Sequence, residues 1–546
     1  MSIFKVFRRP KITEQQASLQ QQSSKKKVQS VGTAIQTFHV DQLPTTMLGE
    51  IIDEYKIGEE ARVTIADEGG HARYIISEPQ LTEEEEDVYS LIMNSLYFSM
   101  DPIPNLEDPA RYIENYIWQA AEEKGIVDQV RKAYPKYRYY IMRDSVVGYE
   151  MIDALIRDKD VEEISCEAFG RPVAVIHRKY SEYDWLDTNV VYRNEDQLRS
   201  FVQKLAHKAG RSVTIAVPYL DAIMKEGHRL ALTLGDEITL PGSTFSIRKF
   251  PEEPLSIGHL LKFGTLSSLM AAYYWLLAEY RGFAIVVGPM SSGKTTMLNA
   301  LATMISPNVK IDTIEDTVEL VLPHIHHLSL KTRKSYSISE SKFDVEMFGL
   351  VKYALRTRPD YVAVGEIRGE EASTTFQAGM IGHGLFTSFH ANSPRSALVR
   401  LSTPPLNIDA GALLSISSFL MMNRVRAPGG KFVRRAVSSS EVKPSAVDGK
   451  TPELLEVFRW NARTDEFAPT TSGEVVAKSY QLRELVMSLT GWDETQLVGE
   501  LDRRREFLDR IVSENRIMYS EVSEALQGFY RRRPQQQQES SPTASA

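Results

Sequence analysis

The chain has 546 residues, 42% of them apolar and 25% charged, with a formal net charge of −8. That length predicts several separately buried cores, and the acidic balance argues against wholesale nucleic-acid binding, so no nucleic-acid partner is expected. Cys166 is the only cysteine, which excludes an intrachain disulfide and a cysteine-rich metal site and suits a reducing cytoplasm.

Residues 1–80 read as a mobile basic N-terminal arm. The first fifty are rich in Gln, Ser and Lys, and they carry Lys5, Arg8, Arg9, Lys11 and the run Lys25 to Lys27. No sustained apolar segment follows the basic start, so it does not read as a secretory signal; a basic arm of this kind suits peripheral contact with anionic lipid. An α+β N-terminal domain is expected over 81–250. Thr82-x-x-Glu85 forms a capping box, Val161 to Glu167 and Val173 to Tyr180 read as a hairpin, and Asn194-x-x-Gln197 caps an amphipathic helix that Gly210 closes. Pro251 and Pro254 break the pattern and mark a linker over 251–264.

Over 265–440 the short apolar runs Phe283 to Val287, Lys310 to Ile314, Tyr361 to Val364 and Leu385 to Phe389 alternate with helical segments. This predicts an α/β domain with a mostly parallel sheet covered on both faces and ligand chemistry at the carboxyl ends of its strands. Residues 441–530 read as mainly helical, with Asp493-x-x-Gln496 ahead of an apolar face at Leu497, Leu501, Leu508, Ile511 and Val512, and 531–546 has disordered composition. The longest apolar-rich stretches, Leu269 to Leu277 and Ala412 to Met422, fall short of the roughly 20 residues that span a bilayer.

The strongest motif is Gly288-Pro289-Met290-Ser291-Ser292-Gly293-Lys294-Thr295, between an apolar strand and the helical run that opens at Thr296. Backbone N–H groups of such a loop point at the β- and γ-phosphates of a nucleoside triphosphate, Lys294 neutralises them, and the Thr295 hydroxyl ligates Mg²⁺. Three further strand ends supply polar groups. Glu315, Asp316 and Glu319 lie where one strand ends, which the parallel-sheet reading places beside the phosphate loop, and offer an acceptor for an attacking water; Glu366 ends another strand and suits the Mg²⁺ shell; His383 and His390 flank a third, as a γ-phosphate sensor would. A metal site at His324, His326 and His327 is set lower, because no carboxylate or cysteine stands near them at a familiar zinc spacing.

In order and spacing these four segments resemble the type II/IV secretion ATPase superfamily, RecA-like P-loop motors of type II secretion, type IV pili and the archaeal flagellum. The likeness runs from about residue 90 to about residue 530, and Gly242 to Phe250 together with Glu315-Asp316-Thr317 look like the archaeal branch. Two departures stand out: Ser291-Ser292 inside the loop where Thr-Gly or Ser-Gly is more usual, and Ile381 before Gly382-His383. The resemblance implies ATP and Mg²⁺ as cofactors and a homo-hexamer. It implies Glu319 as catalytic base, with Glu366, Lys294 and His390 in the catalytic set, and Arg229 and Arg248 reaching a neighbouring subunit's nucleotide. It also implies a polytopic membrane platform protein as partner and a cytoplasmic position at the membrane face. The function it implies is powering assembly of a type IV pilus-like filament or secretion of its subunits, with an archaellum motor as the alternative and a nucleic-acid translocase as a more distant one.

Overall fold

The computed structural model describes residues 39–41, 49–99, 108–250, 253–333, 344–428, 430 and 432–531. The basic cluster of the expected arm, positions 251 and 252 of the expected linker and the tail from 532 lie outside them. The chain divides into two compact units, drawn from Met1–Arg178, Trp185–Val202 and Leu234–Phe245, and from Lys179–Asp184, Gln203–Thr233 and Ser246–Ala546.

The first unit contains β1 (Glu50–Ile57), β2 (Ala61–Asp67), β3 (Ala72–Ser77), β4 (Val161–Cys166), β5 (Pro172–His177) and β6 (Leu186–Val191), laid side by side in the order β1-β2-β3-β6-β5-β4. The β4–β5 hairpin is antiparallel, and β3 with β6 is the parallel pair. Strands β1 to β3 correct the expectation of an arm extending to residue 80. β2 buries Val63, Thr64, Ile65 and Ala66, whereas β1 lies at the sheet edge and buries only Ile57, with Glu50, Glu54 and Lys56 exposed along with Ile51 and Ile52, which gave its sequence the look of a tail. Helices Glu83–Ser99, Pro109–Lys124 and Tyr134–Asp144 follow. The Thr82–Glu85 capping box opens the first of them: the Glu85 backbone N–H donates to Thr82 Oγ1 at 3.3 Å and the Thr82 N–H to Glu85 Oε2 at 2.9 Å.

In the second unit β7 (Tyr219–Ile223) and β8 (Arg229–Thr233) pair antiparallel, and β9 (Thr244–Arg248), whose first two residues fall in the first unit, ends at Arg248. Its large sheet contains β10 (Phe283–Val287), β11 (Ile311–Glu315), β12 (His327–Lys331), β13 (Tyr361–Val364), β14 (Gly384–Phe389), β15 (Ser418–Arg426), β16 (Phe432–Pro444), β17 (Pro452–Asn461) and β18 (Glu466–Ala468), in the order β12-β11-β13-β14-β10-β15-β16-β17-β18. The pairs from β12 through β15 are parallel and the rest antiparallel. Every residue of β10, β13 and β14 is buried, as a sheet covered on both faces requires. The period of two shows in where the side chains go. Ala284 and Val286 pack with helices Ser268–Glu279, Lys294–Thr303 and Glu494–Ser513, while Phe283, Ile285 and Val287 pack with Met347–Arg356 and Glu371–Met380.

Two expected boundaries differ. The stretch assigned to a linker holds a short helix, Ile257–Lys262, because Ser256 and His259 close a reciprocal capping box there. The region past 440, expected to be mainly helical, first completes the sheet with the end of β16 and with β17 and β18; helices take over only from Ser472. The buried carboxylate that joins these parts is Glu441 on β16. It accepts hydrogen bonds from the Tyr273 hydroxyl at 2.7 Å, the Ser479 hydroxyl, and the backbone N–H groups of Tyr480 at 2.7 Å and Gln481 at 3.0 Å. Arg504, fully buried, pairs with Glu279 and with Glu500 at 2.8 Å and lies over the Trp275 ring, which fixes the last long helix to the core.

Candidate nucleotide-binding site

β10 delivers the chain into the loop Gly288 to Gly293, and the helix Lys294–Thr303 starts at once behind it. Two glycines are needed there for different reasons. A Cβ on Gly288 would stand 2.5 Å from the Met422 carbonyl oxygen and 2.5 Å from Ser292 Oγ, so only glycine fits beside β15. Gly293, the helix N-cap, has φ 89°, a left-handed conformation that glycine adopts without cost. Ser291 is also left-handed, at φ 57°, which a residue with a side chain enters only at a cost of about 1–2 kcal/mol. Inside the loop the Ser292 hydroxyl and the Lys294 ammonium both donate to the Pro289 carbonyl, at 2.9 and 2.8 Å. The loop is tied to its neighbours by the Gly288 N–H, which donates to the Phe389 carbonyl at 3.3 Å, and by Arg434 Nε, which donates to the Ser291 carbonyl at 3.0 Å.

Lys294 is half-buried, and burial lowers the pKa of its ammonium; the Glu366 carboxylate opposes that shift while Arg368 and Arg248 add to it. These three charges therefore lie within electrostatic reach of Lys294. Glu366 follows the end of β13 and accepts from Arg368 Nη2 at 2.5 Å. The Ser388 hydroxyl of β14 donates to the Gly365 carbonyl at 2.7 Å and pins that turn. His390, half-buried, follows β14 directly, and its backbone carbonyl accepts from Arg400. His383 stands at the opposite end of that strand, bonded through Nδ1 to the Pro359 carbonyl at 2.8 Å, so it is structural and not a partner of His390 at the rim.

The acidic segment after β11 is arranged differently from the expectation. Two strands, β13 and β14, stand between β11 and β10, so the segment is not next to the phosphate loop in the sheet. Glu315 is buried and turned back on its own chain, accepting from the Glu319 N–H at 3.0 Å and the Leu320 N–H at 3.1 Å. Burial pushes its carboxyl up to about 7. It shapes the turn that presents Glu319. Asp316 is exposed and accepts from the Thr332 hydroxyl at 3.0 Å. Glu319 lies within electrostatic reach of Arg229, which itself grips Asp221 through Nη2 at 3.0 Å and Nε at 3.3 Å. Arg229 and Arg248 thus gather beside Glu319 and Lys294 of their own chain. Thr295 and Thr296, half-buried, open the helix behind Lys294. The three histidines after Pro323 do not converge: His324 is buried against the Ile305 carbonyl, His326 is exposed, and His327 pairs with the Thr313 hydroxyl.

The family model described as type II/IV secretion system protein matches residues 153–481, more than half of the chain and all of this site. The chain belongs to that family. A relative in Methanocaldococcus jannaschii, the uncharacterized protein MJ0900, is 31% identical over 486 residues, covering 84% of this chain and 85% of its own. The type II secretion system protein E of Xanthomonas campestris is 25% identical, with 56% of this chain and 51% of its own covered. Among solved structures, the Yersinia pseudotuberculosis ATPase DotB overlays with a TM-score of 0.39 at 16% identity, over 69% of this chain and 92% of its own. Within this type II/IV secretion chain, two arginines of the site escaped the sequence reading. Arg368 was visible two residues past Glu366, whereas Arg434 had no local signal, since only the pairing of β15 with β16 brings it to the loop.

Proposed function

We propose that the chain hydrolyses Mg-ATP and works as a hexameric motor that powers assembly of a type IV pilus-like filament or secretion of its subunits. The observation that carries the reading is the strand, glycine loop and helix in succession, with the half-buried Lys294 ammonium at the head of the helix and Glu366, Arg368 and Arg248 within its electrostatic reach. The residues fit the group they would hold. Glycine at 288 and 293 lets the backbone approach phosphates, and the helix N-terminus favours anions. Mg²⁺, held by the Thr295 hydroxyl and Glu366, would when bound neutralise charge on the phosphates. Glu319, on the turn held by Glu315, takes the proton of the attacking water, and His390 faces the γ-phosphate side of the rim. Arg368 holds the Glu366 carboxylate in place. In the hexamer Arg229 and Arg248, which lie within electrostatic reach of Glu319 and Lys294 in the single chain, reach a neighbouring subunit's nucleotide.

Membership of a secretion family supports the mechanical role, and work on a filament whose subunits leave a bilayer calls for a polytopic membrane partner. The site test is phosphate release by the purified full chain, expected with Mg²⁺, lost with EDTA, and rising steeply with protein concentration as rings form. Mixing Arg248→Ala with Lys294→Ala subunits locates the arginine. A shared site predicts recovered turnover; no recovery in mixed rings would assign Arg248 to the nucleotide of its own chain. Co-purification with a polytopic protein is the expected sign of the platform, and its absence from solubilised membranes would remove the motor role.

A further inference from the structure

From the meeting of β16 with the phosphate loop, we infer that Arg434 is a positioning residue for nucleotide binding, one that holds Ser291 in its left-handed conformation. The inference rests on reading Gly288 to Thr295 as the phosphate-binding loop. Ser291 is the only residue of that loop other than Gly293 at positive φ, and it carries a side chain where backbone sterics favour none. Arg434 Nε donates to the Ser291 carbonyl at 3.0 Å, so a charged hydrogen bond falls on the peptide whose orientation the strained φ sets. The same arginine's Cδ would stand 3.3 Å from a Cβ on Gly293, so its stem also lies along the loop's last turn.

The route by which Arg434 arrives is built into the sheet. β15 runs parallel to β10, with Met421 opposite Val287, and continues past the loop, where the Met422 carbonyl covers Gly288. β16 returns beside it, and the register shifts between Met421 and Met422, just before Arg424 faces Arg434. Such a bulge bends and twists a strand and re-aims its side chains. Successive residues then part: Arg434 goes to the loop, and Arg435 is buried the other way on Asp465 at 2.8 Å and the Phe263 carbonyl at 2.9 Å. A glycine at 291 would need no such restraint, because glycine reaches left-handed φ freely. Arg434 therefore offsets the serine, and it joins the antiparallel half of the sheet to the loop that takes the phosphates.

The test is a double-mutant cycle on the full chain, read as affinity for Mg-ATP by calorimetry and as KM against kcat. Arg434→Ala is expected to weaken binding about tenfold, the scale of one charged hydrogen bond, with kcat at saturation nearly unchanged. Arg434→Gln, which keeps an amide donor of similar reach, is expected to fall between, and it serves if the alanine variant loses stability. In a Ser291→Gly background the loss on Arg434→Ala should shrink to less than about threefold, a coupling that a merely structural arginine would not produce. An equal loss in both backgrounds overturns the inference. So does unchanged affinity in Arg434→Ala while Lys294→Ala abolishes binding; retained binding in Lys294→Ala would instead overturn the reading of the loop.

Discussion

The two halves of the large sheet are built on opposite principles. From β12 to β10 the strands are parallel and short, all but β12 are buried throughout, and the groups of the site stand at the carboxyl ends: the loop after Val287, Glu366 after β13, His390 after β14. From β15 to β18 the pairs are antiparallel, β15 to β17 are longer, and polar groups lie within them, with Ser418, Ser439, Ser440 and Glu441 buried. The first half also buries polar residues, Asp312, Thr313, Thr387 and Ser388 among them, but places the chemistry of the site at the rim. The second uses buried hydrogen bonds to dock the C-terminal helices, and it reaches back to the rim through Arg434. The difference teaches that the antiparallel half is a brace whose polar network must be complete to work.

Removing the centre of that brace should have the largest effect on stability. Glu441→Leu leaves the Tyr273 and Ser479 hydroxyls and two backbone N–H groups without their acceptor, so a loss of about 3–5 kcal/mol is expected, read by denaturant unfolding. Glu441→Gln, which keeps an acceptor oxygen, should lose far less; an equal loss in both would remove the hydrogen-bond account of the brace.

In the parallel half the comparable buried carboxylate is Glu315, and its signature is pH. Its folded pKa, about 7, lies above the ordinary carboxylate value, so the folded state binds more protons in that window. The carboxyl's contribution is fully present below about pH 4.5 and is lost as pH rises through 7. Glu315→Gln should therefore gain on the wild type between pH 5 and pH 8, by up to about 3 kcal/mol. A stability difference that stays flat with pH contradicts the placement of this side chain. The smallest effect concerns the helices that the brace docks: Asp493→Ala breaks the reciprocal capping box with Gln496 and should cost about 1 kcal/mol, seen as a lower Tm with turnover unchanged.

The parallel half was also the legible one. A strand, a glycine loop and a helix occupy consecutive residues, and the capping boxes at Thr82 and Asp493 and the Asn194 cap are likewise local, so sequence spacing locates them directly. The order of strands was not legible, because β11 is brought to its place by pairing with β12 and β13, and the Glu315–Glu319 segment looked closer to β10 than it is. β1 was hidden by its edge position, and β16 to β18 by the serines and charges that long-range hydrogen bonds satisfy. Arg368 could be found by reading two residues past Glu366; Arg434 needed the β15–β16 register.

The most direct measurement pairs Lys294→Ala with Glu366→Gln, each assayed for Mg-ATP binding and for phosphate release. Lys294→Ala should lose binding and turnover together, since its ammonium holds the phosphates, whereas Glu366→Gln should still bind Mg-ATP while turnover falls by at least about 100-fold. Wild-type turnover in Lys294→Ala, or undiminished turnover in Glu366→Gln, would contradict the assignment of this rim as an ATP-hydrolysing site.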